Sequence, residues 1–115
     1  MLGHLNFAMM LCLLVFAHAL ADYPLQGPFL SEAKNRHTAV GKVFWPHALG
    51  AHAVIHGGFV LLLTGSIWLA LAEVVIHWLA DFLKCDNMIT LNTDQFIHLA
   101  CKVAWAAIAS SVSWS

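Results

Sequence analysis

Long apolar runs alternate with polar breaks along this chain. Leu5–Ala21 is almost unbroken, and it reaches the short end of the roughly 17–25 residues that cross a bilayer. Pro24 and Gly27-Pro28 stop it. Residues 23–45 form a polar connection carrying Lys34, Arg36, His37 and Lys42, part of which suits a short interfacial helix. The next apolar run, Trp45–Leu83, is far too long for one crossing. Thr64-Gly65-Ser66 is the best turn signal inside it. Gly57-Gly58 competes, but paired glycines in an apolar helix more often mark close packing. Pro46 suits the first turn of the helix it opens. A polar loop follows, ending in Asn92-Thr93, a plausible N-cap pair. The pattern predicts helices over about 4–22, 46–63, 67–83 and 94–112 in a single domain. Short second and third connections make that an all-α, four-helix, up-down transmembrane bundle.

Composition strengthens the membrane reading. The 115 residues are 61% hydrophobic and 10% charged, with mean hydropathy +0.78, where soluble domains carry about 25% charged residues. A net charge of −1 argues against nucleic acid as a partner. Cys12, Cys85 and Cys101 show no CxxC spacing and read as free thiols. AHALA at 17–21 has the look of a signal-peptide cleavage site, yet no positive charge precedes Lys34. Met1–Ala21 is therefore read as an uncleaved first helix. Lys34, Arg36, Lys42 and Lys84 fall in the two connections on one side, which the positive-inside rule makes cytoplasmic. Both termini are then non-cytoplasmic. Trp45 stands at the near interface, with Trp68 and Trp114 at the far one.

The chemistry lies in the ionisable groups. Glu73, His77 and Asp81 recur every four residues and share one face of the third helix, with Lys84 at its foot. His18/Asp22, His52/His56 and Asp94/His98 repeat the spacing elsewhere. In an up-down bundle all of these reach the same, cytoplasmic end. At about 1.5 Å per residue, Asp22, Asp81 and Asp94 form a shallow layer within about 3 Å of the helix ends. His18, His52, His77 and His98 lie roughly 8–9 Å in, and His56, Glu73 and Lys102 roughly 14–15 Å in. A single His/Asp pair is most simply a hydrogen-bonded contact between helices. Four helices converging point instead to a divalent metal, with zinc or manganese best suited to imidazole and carboxylate ligands. The expected ligands are His18, Asp22, His52, His56, His77, Asp81, Asp94 and His98. Gln26, Glu73, Gln95 and Lys102 would support them by hydrogen bonding, with Glu73 and Lys102 paired beneath the site. His4 and His37 read as terminal and loop residues, and His47 stays ambiguous.

HALADYPLQ, Lys34, HAVIH, HWLADFLK and DQFIH, in that order, resemble an integral membrane family of bacteria and their phages known as domain of unknown function 3307. The resemblance covers nearly the whole chain and implies a bacterial inner-membrane location. His18-Ala-Leu-Ala-Asp22 is also similar to the His-x-x-x-Asp motif of zinc-dependent phospholipases C and to membrane-bound metal-dependent hydrolases. Ala21 replaces the usual Gly there, and Gln26 follows Pro24 where those enzymes place it before a proline.

Three functions compete at this point. One is a metal-dependent hydrolase of a phosphoester or phospholipid headgroup, with Asp22 or Asp94 as general base and Lys34, Arg36 and Lys84 receiving the phosphate. Another is a metal or proton carrier. A third is a structural or regulatory membrane protein, such as a phage-encoded envelope modifier.

Overall fold

A computed structural model describes residues 5–111. These residues fold into five helices, and no strand occurs among them: α1 (Phe7–Asp22), α2 (Gly27–Ala33), α3 (Gly41–Thr64), α4 (Ile67–Cys85) and α5 (Leu91–Ser111). The first residue of the first predicted helix, the last residue of the fourth, and Trp114 lie outside the described residues.

Local chemistry fixes the helix ends. Asn6 caps α1 by accepting from the Met9 amide at 2.9 Å. Gln26 Nε2 donates to the free Asp22 carbonyl at 2.9 Å and so closes the other end. Gly27, at φ 65°, turns the chain. The short helix α2 leaves at 81° to α1 and carries Lys34 back toward the bundle. Ser66 caps α4 through the Leu69 amide.

Two boundaries differ from the sequence reading. Pro46 does not sit in a first turn: α3 begins at Gly41 and Pro46 is inside it. The preceding residues extend the helix because the Lys42, Val43 and Phe44 amides find carbonyl partners at Thr38 and Val40. Asn92-Thr93 is not a cap either. Thr90 Oγ1 accepts from the Thr93 amide at 3.1 Å, so α5 starts at Leu91. Gly57-Gly58 does not break α3. A Cβ on Gly57 would collide with Val74 and the Ala70 carbonyl oxygen of α4, so Gly57 is the point of close helix approach.

α3 packs on α1 and α4, and α5 packs on α1 and α4, so the four long helices close a ring. Their directions follow from what meets what. Met10 and Leu14 of α1 share an apolar cluster with Val60, Leu69, Trp105, Ala106 and Ala109. Asp22, twelve residues after Met10, meets His52 and His56. Residue numbers thus rise toward the polar end in α1 and α4 and fall toward it in α3 and α5. The bundle is up-down, as expected.

Four spanning helices were expected, and length and apolarity alone support fewer. Among the described helices, Gly41–Thr64 passes as a span, with Phe7–Asp22 plus Gly27–Ala33 as a bent second if counted together. α1 has 16 residues, while α4 and α5 carry Glu73, Asp81, Lys84, Asp94 and Lys102. Those charges lower the hydropathy of the helices that hold them.

A clasp ties the connections together outside the helical ring. Arg36 donates two hydrogen bonds to Asp86, at 2.7 and 3.0 Å, and His37 adds a third contact at 2.8 Å. Hydrogen bonding from Arg36, and then from His37, holds the Asp86 carboxyl below the usual carboxylate range.

Candidate metal centre

Asp22 is the hub. Its Oδ1 lies 2.8 Å from His56 Nε2 and 3.2 Å from His52 Nε2. Its Oδ2 lies 3.2 Å from His18 Nε2 and accepts from Gln95 Nε2 at 3.2 Å. Asp22, His52, His56 and His77 each bring one ligand atom to within 4.8 Å of all the others. These four come from α1, α3 and α4, so the bundle has to be folded for the set to exist.

His52 is the imidazole of the cluster that makes no hydrogen bond at either nitrogen. It is fully buried. Its Nε2 faces Asp22 at 3.2 Å and Asp81 at 3.7 Å without hydrogen-bonding alignment. A buried imidazole whose nearest carboxylates are out of hydrogen-bonding alignment gives up part of the roughly 1–3 kcal/mol that an unmade buried hydrogen bond costs. Lone pairs converging on a common point beside a carboxylate suit a cation better than one another.

The layering differs from the sequence reading by one helical turn. His56, not His52, joins the imidazole stack: its ring lies 3.7 Å from His77, and His77 lies 4.1 Å from His98. His18 borders the stack, 5.1 Å from His56 and 5.3 Å from His98. His52 sits outward, where it reaches Asp22 and Asp81. The sequence-derived depths take Pro46 as the start of α3. With α3 beginning five residues earlier, close packing at Gly57 sets its register instead.

Beneath the stack, Glu73 is enclosed by donors. Lys102 Nζ and Trp105 Nε1 both donate to Oε1 at 2.8 Å, and His77 Nδ1 faces Oε2 at 3.2 Å. A carboxylate on Nδ1 fixes the imidazole with Nε2 turned to the ligand side. Glu73, His77 and His98 also lie close enough to hold an ion, but the Lys102 ammonium already occupies Glu73. Trp105 escaped the sequence reading; its position three residues after Lys102 on the same face was the available signal.

The remaining candidates divide. Asp81 belongs to neither ligand group. Lys34 holds it at 2.8 Å and Lys84 at 3.0 Å. Asp94 pairs with His98 at 3.0 Å and approaches Lys84 at 3.8 Å. Gln95 links His18, Asp22 and Asp94. Arg36 does not reach the site, because it is held on Asp86 and lies over the Phe82 ring. His47 is exposed, away from the cluster. A cavity of about 200 Å³ opens onto this end, lined by Asp22, Gln26, Lys34, His77, Lys84 and Asp94, among others.

An all-helical chain with a buried imidazole and carboxylate cluster at one end of a bundle is the class these observations define. The chain belongs to the family described as protein of unknown function DUF3307, which matches residues 10–115 and so includes every residue of the cluster. Nothing among curated proteins or solved structures matches it.

Proposed function

We propose that this chain is an integral membrane protein that holds a divalent metal ion through Asp22, His52, His56 and His77 and hydrolyses a phosphoester. The observation that carries this reading is the convergence of those four side chains around a buried His52 without hydrogen bonds. The donor set suits zinc or manganese. The motif similarity of His18-Ala-Leu-Ala-Asp22 to metal-dependent phospholipases points the same way.

The membrane setting is supported by where charge and grease lie. Glu73, Asp81, Asp94 and Lys102 are at most 2% exposed, while Phe16, Leu62, Trp68, Val75 and Phe96 are each more than 60% exposed. Water would select the opposite arrangement; lipid around a polar core selects this one. All four long helices then cross or nearly cross the bilayer, their charges turned inward.

A divalent ion in this centre would polarise a phosphoryl oxygen and acidify a water to a pKa near 7. The cavity supplies the rest. Its charged lining is Asp22, Asp81 and Asp94 against Lys34 and Lys84, one negative charge in excess. A divalent ion reverses that sign and makes the cavity anion-seeking. Lys84 and Lys34 then face the phosphate, and Asp94, outside the ligand group, accepts the proton. The carrier alternative lacks a route. Beyond Trp105 the bundle is filled by Met10, Leu14, Val60 and Leu69, and the buried Thr64 hydroxyl is bonded to the Val60 carbonyl.

Detergent-purified protein reloaded with zinc or manganese should hydrolyse bis(p-nitrophenyl) phosphate, with activity lost to a chelator and regained on adding metal. Metal-loaded protein that turns over neither this diester nor the corresponding monoester would remove the hydrolase part of the reading.

A further inference from the structure

Among the recesses on the surface of the described residues, one apolar groove shares a residue with the polar cavity. That groove, about 330 Å³, is lined by Phe16, Ala19, Leu20, Tyr23 and Pro24. Tyr23 also lines the cavity that holds Lys34, Lys84 and Asp94. Apolar grooves at Ala8–Leu13 and around Phe59 have no residue in common with the cavity. From Tyr23 the groove descends to Phe16, seven residues or about 10 Å along α1. One continuous surface therefore passes from two ammonium groups, around an exposed Tyr ring, into an outward-facing apolar trough.

We infer that the site takes a phosphate-bearing lipid, with its headgroup against Lys34 and Lys84 and its hydrocarbon chain in the Phe16–Pro24 groove. This rests on the phosphoester reading and specifies its substrate. The lipid enters sideways from the bilayer leaflet. Tyr23 stands at the junction of chain and headgroup, where an aromatic side chain with one apolar and one polar end is favoured.

Ala19 makes the inference testable, because it is exposed and a larger side chain there fills the groove without entering the core. Hexadecylphosphonate and methylphosphonate carry the same headgroup on a C–P bond that resists hydrolysis, and they differ only in the chain. In metal-loaded protein, Ala19→Trp should weaken hexadecylphosphonate at least tenfold and leave methylphosphonate unchanged. Lys84→Ala should weaken both. Ala8→Trp, in the unconnected groove, should weaken neither. Equal hexadecylphosphonate binding by wild type and Ala19→Trp overturns the inference, and so does methylphosphonate binding as tightly as the long-chain ligand in wild type. Metal content and diester turnover of the same samples are read separately. A groove failure in protein that holds metal and cleaves the diester counts against the lipid alone. Protein without metal counts against the centre whatever the lipid does.

Discussion

Lys102 Nζ lies 2.8 Å from Glu73 Oε1, and both side chains are shut off from solvent. The pair closes the imidazole stack from below, with Trp105 donating to the same oxygen. Removing one partner leaves the other charge buried alone, at a cost of about 3–5 kcal/mol. Lys102→Met should therefore lower the thermal midpoint sharply in detergent. Glu73→Gln combined with Lys102→Met should recover most of that loss, because the amide oxygen still accepts from Trp105. A simple charge reversal should recover less, since it sets an ammonium against the indole N–H. A double variant as unstable as the two singles combined would show that the contact carries no coupling.

Asp94 lines the cavity without belonging to the four-residue ligand group. Asp94→Asn should lower phosphodiester turnover by at least about a hundredfold, the scale of a lost general base, while keeping the bound metal. Asp22→Asn should lose metal and activity together. Full activity in Asp94→Asn would reassign the proton acceptor.

Much of this arrangement could be read before any coordinates. Glu73 sits eight residues before Asp81 and Lys102 eight after Asp94, which put both on the site-facing stripe at matching depth; helical periodicity alone predicts their pairing. The convergence of His18, His77 and His98 followed from the same argument. Depth within α3 did not. A proline normally marks a helix start, yet here loop residues continue the helix outward past Pro46, so His52 and His56 exchange places. Lys34 and Arg36 look equivalent in the sequence but are not. Both lie in the polar connection, where no periodicity assigns a direction, and folding sends Lys34 to Asp81 and Arg36 to Asp86. The charges on α4 and α5 obscure their apolar faces in any count along the sequence, because a count cannot tell an inward charge from an outward one.

The Arg36–Asp86 clasp predicts a pH dependence. The folded Asp86 pKa is depressed, so its contribution is present above the unfolded value of about 3.9 and disappears as pH falls through the folded value. The stability difference between wild type and Asp86→Asn should hold steady from about pH 5 upward, begin to shrink near pH 4 and vanish only once the pH is below the depressed folded value. A difference that grows in acid contradicts the clasp.

Phe7 begins α1 and Ser111 ends α5, both at the end away from the cluster. Reporter tags at Met1 and Ser115 should therefore lie on one side of the membrane, with a tag in the Arg36–Lys42 connection on the other. Lys34 is buried against Asp81, so in the proposed topology Arg36 and Lys42 are the outward cations by which the positive-inside rule would assign this connection to the cytoplasm. Termini reporting opposite sides would rule out an even number of crossings.

The metal centre is the claim from which the rest follows. Elemental analysis of protein purified without chelators should find close to one zinc or manganese ion per chain. That ion should be lost in His52→Ala and His56→Ala, and retained in His37→Ala, whose ring contacts only Asp86 among the carboxylates. A parent protein that carries no divalent metal after gentle purification, and takes up none on reloading, contradicts the account and leaves the cluster as a hydrogen-bonded core.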